Sequence, residues 1–371
     1  MQSTSDRSVT WRGTANALNL RVGVCQRSDR GWATSIARLD CAGFPVPAFA
    51  LPSFPIALGQ STKLVLLDRD GREVVWAAAV EIERSRILPW RRIIRLSRFG
   101  PGITPEIRDS VVSALVEVAA TERALRLHVE VFEPDPETQL VITKALANRG
   151  FEAAPYSRSY ASTVFIDLRG TDDQILASFH STARRHIRAL AKHQLQCHPI
   201  TDPALSARMN ELLGVSMSRT GALFEETRWV EVLAFIAAHP SRAALLGVFR
   251  TDMVGAEALV GYVLGYRHGD TVEYSIAACA RLVEIRAPLL YAPTWELMRW
   301  GKRNGARWFD FGGITAGSRA SGDPAGGISD FKRYFFARET TLGGEMIFSP
   351  VPRLSRLAAA MSAMMSRRPR F

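Results

Sequence analysis

The stretch RWFDFGGITAGSRASGDPAGGISDFKRYFF, residues 307–336, decides the fold assignment and raises the question of function. Alternating large apolar residues predict a short buried strand, and this strand ends on Gly312 and Gly313. Glycine lets a backbone approach a ligand closely or lets a sheet splay. A loop rich in Gly, Ser, Ala and Pro follows, which predicts either a mobile flap or an inert surface loop. The chain then returns with Ile-Ser-Asp-Phe-Lys, residues 328–332.

Strand alternation places Phe309 and Phe311 on one face and Asp310 on the other. A carboxylate at that position fits two roles. Asp310 could act as a general base towards an amine, or it could accept hydrogen bonds from backbone N–H groups. The first role would require tuning of its pKa, and the pattern alone leaves both open.

The length of 371 residues suits two domains, and the formal net charge of +11 comes mostly from arginine. Such an excess favours partners that carry phosphate, such as RNA, or an anionic membrane face. It is equally typical of an arginine-rich, solvated surface. Charge alone therefore narrows the class of partner without naming one.

Metal, disulfide and membrane-span signals are missing from the sequence. The four cysteines are scattered and form no CxxC pair, which predicts reduced thiols. The histidines at 180, 186, 193 and 198 have no recognisable ligand spacing, so no metal is expected. No run approaches the ~20 apolar residues of a membrane span, and the N-terminus does not read as a signal peptide. We therefore expect a cytoplasmic protein.

The order of predicted elements recurs in the two halves of the chain. Residues 61–82 predict a hairpin, followed by a strand, a capped helix, a strand and a helix that ends at Gly150. Residues 171–194 predict one long helix with a Thr171–Gln174 capping box. Further helices, three antiparallel strands, another helix and the 307–313 strand follow. This order predicts an α/β (α+β) protein with two tandem GNAT-like N-acyltransferase domains, each a mixed, mostly antiparallel sheet flanked by helices.

Three segments resemble the FemABX family of aminoacyl-tRNA-dependent peptidyltransferases. They are TVFIDLRGTDDQILASFHSTARRHIRALAKHQLQ (163–196), PLLYAPTWELMRWGKRNGARWFDFGGI (288–314) and GISDFKRYF (327–335). RFGPGI in the first half resembles the family's turn before a helix more weakly. The likeness covers roughly residues 30–350. Two departures are Phe336-Ala337, where the family often has Gly-Gly, and the lack of a helical-hairpin insertion.

The resemblance implies transfer of an amino acid from charged tRNA to an amine, typically of a peptidoglycan stem peptide. It implies two GNAT-like domains with the acceptor held between them, and no metal or other cofactor. We expect an N-terminal domain over 1–160, a C-terminal domain over 161–349 and a basic amphipathic tail over 350–371. We also expect a monomer.

Lys332 and Asp310 are the catalytic candidates. Aminolysis of an ester generates an oxyanion, and Lys332 could stabilise that oxyanion or contact a donor phosphate. The alternative, from the local sequence without the family motif, is that Lys332 is a surface residue on a solvated turn. Phe331 could line the acceptor channel or anchor Lys332, and Gly312 and Gly313 would leave room for the donor.

Basic side chains supply the remaining substrate-binding candidates. Arg184 and Arg188 lie four residues apart on one helix face. Arginine forks grip phosphate, so these two could hold the tRNA acceptor arm or the diphosphate of a nucleotide- or lipid-linked precursor. The alternative is a solvated basic face. Arg219 and Arg228, which flank TGALFEE, are weaker candidates.

Two rival readings remain from sequence. The chain could be an acyl-CoA-dependent N-acyltransferase of polysaccharides or lipids, although residues 280–293, where a pyrophosphate loop would lie, contain no glycine. It could also be a non-catalytic module that binds tRNA or a membrane. The tail at 350–371 has an apolar stripe with arginines nearby, which suits peripheral contact with the inner face of the plasma membrane or docking on the protein itself.

Overall fold

The computed structural model describes residues 10–15, 20–55, 61–70, 73–155, 162–220, 226–280, 288–323, 326–335 and 338–366. The chain divides into two compact units. The N-terminal unit comprises Met1–Pro52, Ile56–Ala161 and Leu342–Phe371. The C-terminal unit comprises Ser162–Thr341 together with the short segment Ser53–Pro55.

The N-terminal unit is built around one mixed sheet. Its elements up to residue 153 are β1 (Thr10–Ala15), β2 (Leu20–Gln26), α1 (Arg30–Cys41), β3 (Ser61–Arg69), β4 (Glu73–Arg84), β5 (Arg92–Phe99), α2 (Arg108–Thr121), β6 (Ala124–Val131), α3 (Pro136–Ala147) and β7 (Glu152–Ala153). A 3₁₀ turn covers Ala48–Ala50. The predicted hairpin is confirmed, since β3 and β4 pair antiparallel from Ser61–Ile82 to Arg69–Glu73.

The C-terminal unit repeats the plan with more helix. Its elements are β8 (Ser162–Asp167), α4 (Asp172–Ser178), α5 (Ser181–Ala189), β9 (Leu195–Pro199), α6 (Ser206–Thr220), α7 (Trp229–Ala238), β10 (Ala243–Arg250), β11 (Leu259–His268), β12 (Thr271–Cys279), α8 (Tyr291–Arg303), β13 (Trp308–Gly313), α9 (Gly326–Arg333) and β14 (Arg338–Thr341). Short 3₁₀ turns cover Leu190–His193, Pro203–Leu205 and Ala256–Ala258. The chain then adds β15 (Gly344–Phe348) and α10 (Pro352–Ser366).

Each sheet contains one parallel pair among antiparallel neighbours. The strand orders are β1-β2-β3-β4-β5-β6-β15-β7 and β14-β8-β13-β12-β11-β10-β9. The parallel pairs are β5–β6 and β12–β13, connected through α2 and α8 respectively. The sequence-based prediction of two mixed, mostly antiparallel sheets flanked by helices is therefore confirmed.

Each unit has its own hydrophobic core. In the N-terminal unit, Val111, Leu115 and Val118 of α2 pack on alternate residues of β3, β4 and β6. Leu64–Leu67 of β3 are all buried, because α1 and α2 cover the sheet from both faces. In the C-terminal unit, α8 and β13 form the centre of a core rich in aromatic rings. That core carries the candidate site.

The single long helix predicted over 171–194 is wrong, because the chain breaks into α4 and α5 at Phe179. The Thr171–Gln174 capping box is present as predicted. Phe179 is extended and fully buried, with its ring 5.6 Å from that of Trp295 and 5.0 Å from that of Phe335. Burying this ring outweighs the local helical periodicity, and the His180 side chain then caps α5 by accepting the Thr182 N–H.

The predicted C-terminal boundary at residue 349 also differs from the structure. β15 pairs with β6 from Gly344–Val131 to Phe348–Leu127, so it completes the sheet of the N-terminal unit. The segment 338–348 therefore divides into β14, paired with β8 in the C-terminal unit, and β15. Strand pairing between segments far apart in sequence is not visible in a local pattern, which explains the error.

Candidate active site

The two parallel strands of the C-terminal unit pair for only three residues and then part. β12 and β13 are in register from Thr271–Trp308 to Glu273–Asp310. Beyond that point both strands are irregular. β12 has a bulge at Ser275, which has no partner in the pairing with β11. β13 has one more residue than β8 between the pairs Asp310–Phe165 and Gly313–Thr163. Bulges turn strands away from a ladder and are common beside active sites. The sheet is therefore open at the Gly312–Gly313 end of β13.

Asp310 holds the bulge of β13 in place. Its side chain is buried at 2 % exposure. One carboxylate oxygen accepts hydrogen bonds from Thr163 Oγ1 at 2.5 Å and from the Gly312 N–H at 2.9 Å. Gly312 has a φ of +70°, which L side chains rarely adopt, so glycine is required here. These bonds give Asp310 a positioning role, while its role as a general base stays a prediction.

Lys332 projects from α9 to the same end of β13. Its side chain is buried at 7 % exposure, and Nζ donates to the Gly313 carbonyl oxygen at 2.6 Å. Burial lowers the pKa of Lys332 to about 8, and the nearby Asp310 carboxylate opposes part of that decrease. The alternative of a solvated lysine on a turn is wrong, since the segment is helical and the amine is buried.

Glycine at 312 leaves free space beside this amine. A Cβ added at Gly312 would stand 4.0 Å from Lys332 Nζ and 4.0 Å from the Tyr274 carbonyl oxygen, and would meet nothing closer. A ligand atom in that space would have a cationic donor on one side and a carbonyl acceptor on the other. The opening thus offers complementary groups to a developing oxyanion and to an attacking amine.

Phe331 packs in an aromatic cluster behind the lysine. Its ring lies edge-on at 4.8 Å from Tyr291, 5.4 Å from Phe335 and 6.1 Å from Phe311. Burial raises the pKa of the Tyr274 and Tyr291 hydroxyls. The cluster fixes α9 against β13, which favours the anchoring role for Phe331.

The Gly-rich loop after β13 is tied to α9 over the residues that the structure describes. The Ser329 hydroxyl accepts from the Thr315 N–H at 3.1 Å, and Asp330 accepts from the Arg319 N–H at 2.9 Å. Arg333 donates to the carbonyls of Thr315 and Gly317 at 2.6 and 2.9 Å. In this state the loop is a hydrogen-bonded cover of α9 rather than a free flap.

The basic candidates divide into different environments. Arg184 donates to the Ala177 and Phe179 carbonyls at 2.9 and 2.6 Å, so its guanidinium closes the α4–α5 junction. Arg188 is exposed on α5. Arg228 is exposed before α7 and forms an ion pair with Glu231 at 2.5 Å. The Arg219 side chain, most of TGALFEE and residues 281–287 of the predicted pyrophosphate segment lie outside the described residues.

The equivalent opening in the N-terminal unit is closed. β5 and β6 pair from Arg92–Ala124 to Phe99–Val131, with register shifts after Arg92 and after Leu96. Beyond these shifts the strands are still joined, since the Phe132 N–H donates to the Phe99 carbonyl at 2.7 Å. The Phe44 ring lies against Gly102, where an added Cβ would overlap it. The guanidinium of Arg98 stacks 3.6 Å above the Phe132 ring. Within the described parts of the two units, the C-terminal one alone combines diverging strands with a buried lysine.

Sequence reasoning missed several residues that shape the site. The Tyr274 carbonyl, Thr163, Ser329 and Arg333 are brought together by strand register and by the packing of α9. A glycine pair at a strand end was the available signal for the opening. No comparable local signal marked the partners.

The fold and the site define a GNAT-type acyltransferase architecture in two copies. Residues 177–333 match the family model for an acetyltransferase (GNAT) domain. A search of curated proteins found no match. The described helices include none that is both long and apolar enough to cross a membrane. Within the same ranges, no group of three or more His, Cys, Asp or Glu residues is placed to hold a metal ion.

Solved structures confirm the FemABX-like tandem fold. The crystal structure of FemX shares 16 % identity, with a TM-score of 0.67 over 81 % of this chain and 90 % of FemX. L-PGS from Bacillus licheniformis shares 12 %, with a TM-score of 0.52 over 92 % and 98 %. A tandem GNAT protein from the clavulanic acid biosynthesis pathway shares 13 %, with a TM-score of 0.51 over 89 % and 98 %. At these identities the likeness concerns the fold.

Proposed function

We propose that this protein is an aminoacyltransferase that moves an amino acid from a charged tRNA to an amine acceptor, with a peptidoglycan precursor stem peptide as the acceptor. The observation that carries the proposal is the Lys332 ammonium, buried and held on the Gly313 carbonyl where β12 and β13 diverge. A binding module without catalysis has no need to bury a cation beside an open strand end.

The chemistry follows from the groups around the opening. The acceptor amine attacks the ester carbonyl of the aminoacyl donor, and a C–N bond forms as the carbonyl oxygen becomes an oxyanion. Lys332 donates a hydrogen bond to that oxyanion, while the Tyr274 carbonyl orients an N–H of the amine. The C–O ester bond then breaks, and the leaving ribose hydroxyl takes up the proton that the amine loses.

Two further features support a charged tRNA as donor. The net charge of +11 suits a polyanionic partner, and the exposed Arg188 on α5 is available for phosphate. The likeness to FemX in fold is compatible with this donor. The proposed setting is cytoplasmic, with the protein acting as a monomer.

The second candidate is an acyl-CoA-dependent N-acyltransferase. The observation that favours it is the match of residues 177–333 to an acetyltransferase domain, together with the fold shared with the tandem GNAT protein. The diverging strands would accept a pantetheine arm as readily as an aminoacyl terminus. Titration with both donors distinguishes the two candidates.

The test is a set of donor titrations at physiological salt. The protein is titrated with charged tRNA, uncharged tRNA and acetyl-CoA, and the charged tRNA series is repeated with Lys332→Ala. Lys144→Ala serves as the control, because Lys144 is exposed on α3 of the other unit. Tighter binding of charged than of uncharged tRNA, weakened by Lys332→Ala alone, supports the proposal. Tight acetyl-CoA binding with no tRNA preference would replace it by the second candidate.

A further inference from the structure

A cavity of about 350 Å³ lies in the N-terminal unit, between the β4–β5 turn, β6 and α10. It is built at the start of β5, whereas the closed GNAT opening of this unit lies at the other end of that strand. Ala358, Ala359 and Ser362 of α10 form one wall. The cavity therefore belongs neither to the candidate active site nor to its counterpart in this unit.

The polar lining of the cavity is strongly basic. Four guanidinium groups face one carboxylate, together with a histidine; the residues are Arg84, Arg86, Arg95, Arg126, Glu83 and His128. Glu83 is engaged by Arg95 at 2.6 Å. Among the residues that the structure describes, no carboxylate lies within ion-pair distance of the other three arginines. His128 contacts the buried Glu345 carboxylate at 2.5 Å, so the charge left without a matching anion from these residues is that of Arg84, Arg86 and Arg126.

Arg126 is held in a fixed position inside the cavity. Its Nε donates to the Ser355 hydroxyl at 2.7 Å, and one terminal nitrogen donates to the Ser355 carbonyl at 3.1 Å. Ser355 is itself buried, and Ala358 packs beside it against Leu125 and Leu88. The remaining N–H groups of a guanidinium held in this way are pre-oriented for an oxyanion.

We propose that this cavity binds a phosphate-bearing group. Planar guanidinium forks match phosphate oxygens in pairs, and the volume lies within the range of small-molecule sites. Ile87, Ile93 and Leu125 add an apolar side, which suits the non-phosphate part of such a ligand. On this proposal, α10 of the C-terminal segment forms one wall of an anion site in the N-terminal unit.

Two sources could supply this chemistry, a soluble diphosphate and an anionic lipid headgroup. The first arm titrates the full chain with uridine diphosphate by calorimetry at 150 mM salt, where exposed charges are screened. The second arm measures co-sedimentation with vesicles of phosphatidylglycerol and phosphatidylcholine, against vesicles of phosphatidylcholine alone. Binding in the first arm identifies a soluble ligand, and binding in the second alone identifies a lipid.

Three variants test the cavity itself. Arg84→Gln with Arg86→Gln removes two exposed charges, and Ala359→Phe fills the cavity without changing charge. Lys144→Gln with Arg149→Gln removes two exposed charges on and just after α3, away from the cavity. We expect the first two to raise Kd about tenfold and the third to change it less than about twofold. Saturable binding of neither probe, or equal loss in all three variants, would overturn the proposal.

Discussion

The Lys332 amine and the Gly313 carbonyl oxygen lie 2.6 Å apart, although one residue comes from a helix and the other from the end of a strand. The contact joins α9 to β13 at the point where β13 leaves β12. The cation is buried there with no carboxylate within ion-pair distance among the residues that the structure describes, and this burial lowers its pKa to about 8. Each of these consequences can be measured.

The pH profile of transfer should report the charge of Lys332. The amine is protonated at neutral pH and loses its proton as pH rises through about 8, whereas arginine at this position would stay charged. The ratio of the wild-type rate to the Lys332→Arg rate should therefore fall between pH 7 and pH 9. Single-turnover rates over that range give the ratio, and a ratio independent of pH would show that the charge of Lys332 plays no part.

Lys332 should make the protein more stable as pH rises from about 8 to about 10.5, because the folded protein releases the Lys332 proton in this range and the unfolded chain keeps it. The unfolded lysine keeps its proton to about 10.5 and the folded one to about 8, so between these values the unfolded chain binds more protons. The burial cost at pH 7 is on the order of 3 kcal/mol. Thermal melts should show the wild type gaining on Lys332→Met as pH rises from 8 to 10. A constant difference between the two Tm values would contradict this burial.

Gly312 in β13 and Gly327 in α9 provide a matched pair of glycines for testing the backbone at the opening. Gly312→Ala should cost about 1–2 kcal/mol and reduce activity, because its φ is +70° and the new methyl would occupy the space beside Lys332 Nζ. Gly327→Ala, in α9 with open space around it, should be neutral or stabilising by about 0.5 kcal/mol. Chemical unfolding and donor binding distinguish them. If Gly312→Ala behaves like Gly327→Ala, the opening is not where the structure places it.

Gly326→Ala tests whether the loop after β13 needs its tie to α9. A Cβ at Gly326 would come within 2.2 Å of the Ser318 backbone, so the loop would have to move. We expect a lower Tm and faster proteolysis within residues 314–323 than in Gly327→Ala. Equal cleavage rates in the two variants would show that the loop does not depend on this contact.

Arg184 and Arg188 should separate into a structural and a binding residue. Arg184→Ala leaves the carbonyls of Ala177 and Phe179 without a donor and should lower stability by about 1–3 kcal/mol. Arg188→Ala should leave Tm unchanged, weaken tRNA binding and reduce its salt dependence by about one phosphate contact. Thermal melts of both variants and tRNA titrations at several salt concentrations distinguish the structural role from the binding role. A reversed pattern would return Arg184 to the substrate-binding set.

Local patterns in the sequence predicted the parts of the fold that local physics controls. The β3–β4 hairpin, the three-stranded meander, the capping box and the Phe309/Phe311 alternation follow from turn chemistry and periodicity. The break at Phe179 did not, because it depends on rings contributed by Trp295 and Phe335. The pairing of β15 with β6 depends on a long-range contact of the same kind.

The candidate site was predictable in its residues more than in its geometry. Lys332, Asp310 and the glycine pair could be selected from one motif, and the structure brings them together. The burial of Lys332 could not be read from the sequence, since a lysine beside a Gly-rich loop usually faces solvent. Only the packing of α9 against the aromatic cluster around Phe331 places the amine inside.

The most direct test of the central claim is transfer of a labelled amino acid. Wild type, Lys332→Ala and Lys144→Ala are each incubated with tRNA charged with a mixture of labelled amino acids and with a nucleotide-linked stem peptide. We predict labelled peptide from the wild type and from Lys144→Ala, and about 10²- to 10³-fold slower formation by Lys332→Ala. Equal rates for all three proteins, or labelled product only when acetyl-CoA with a labelled acetyl group replaces the charged tRNA, would contradict the account.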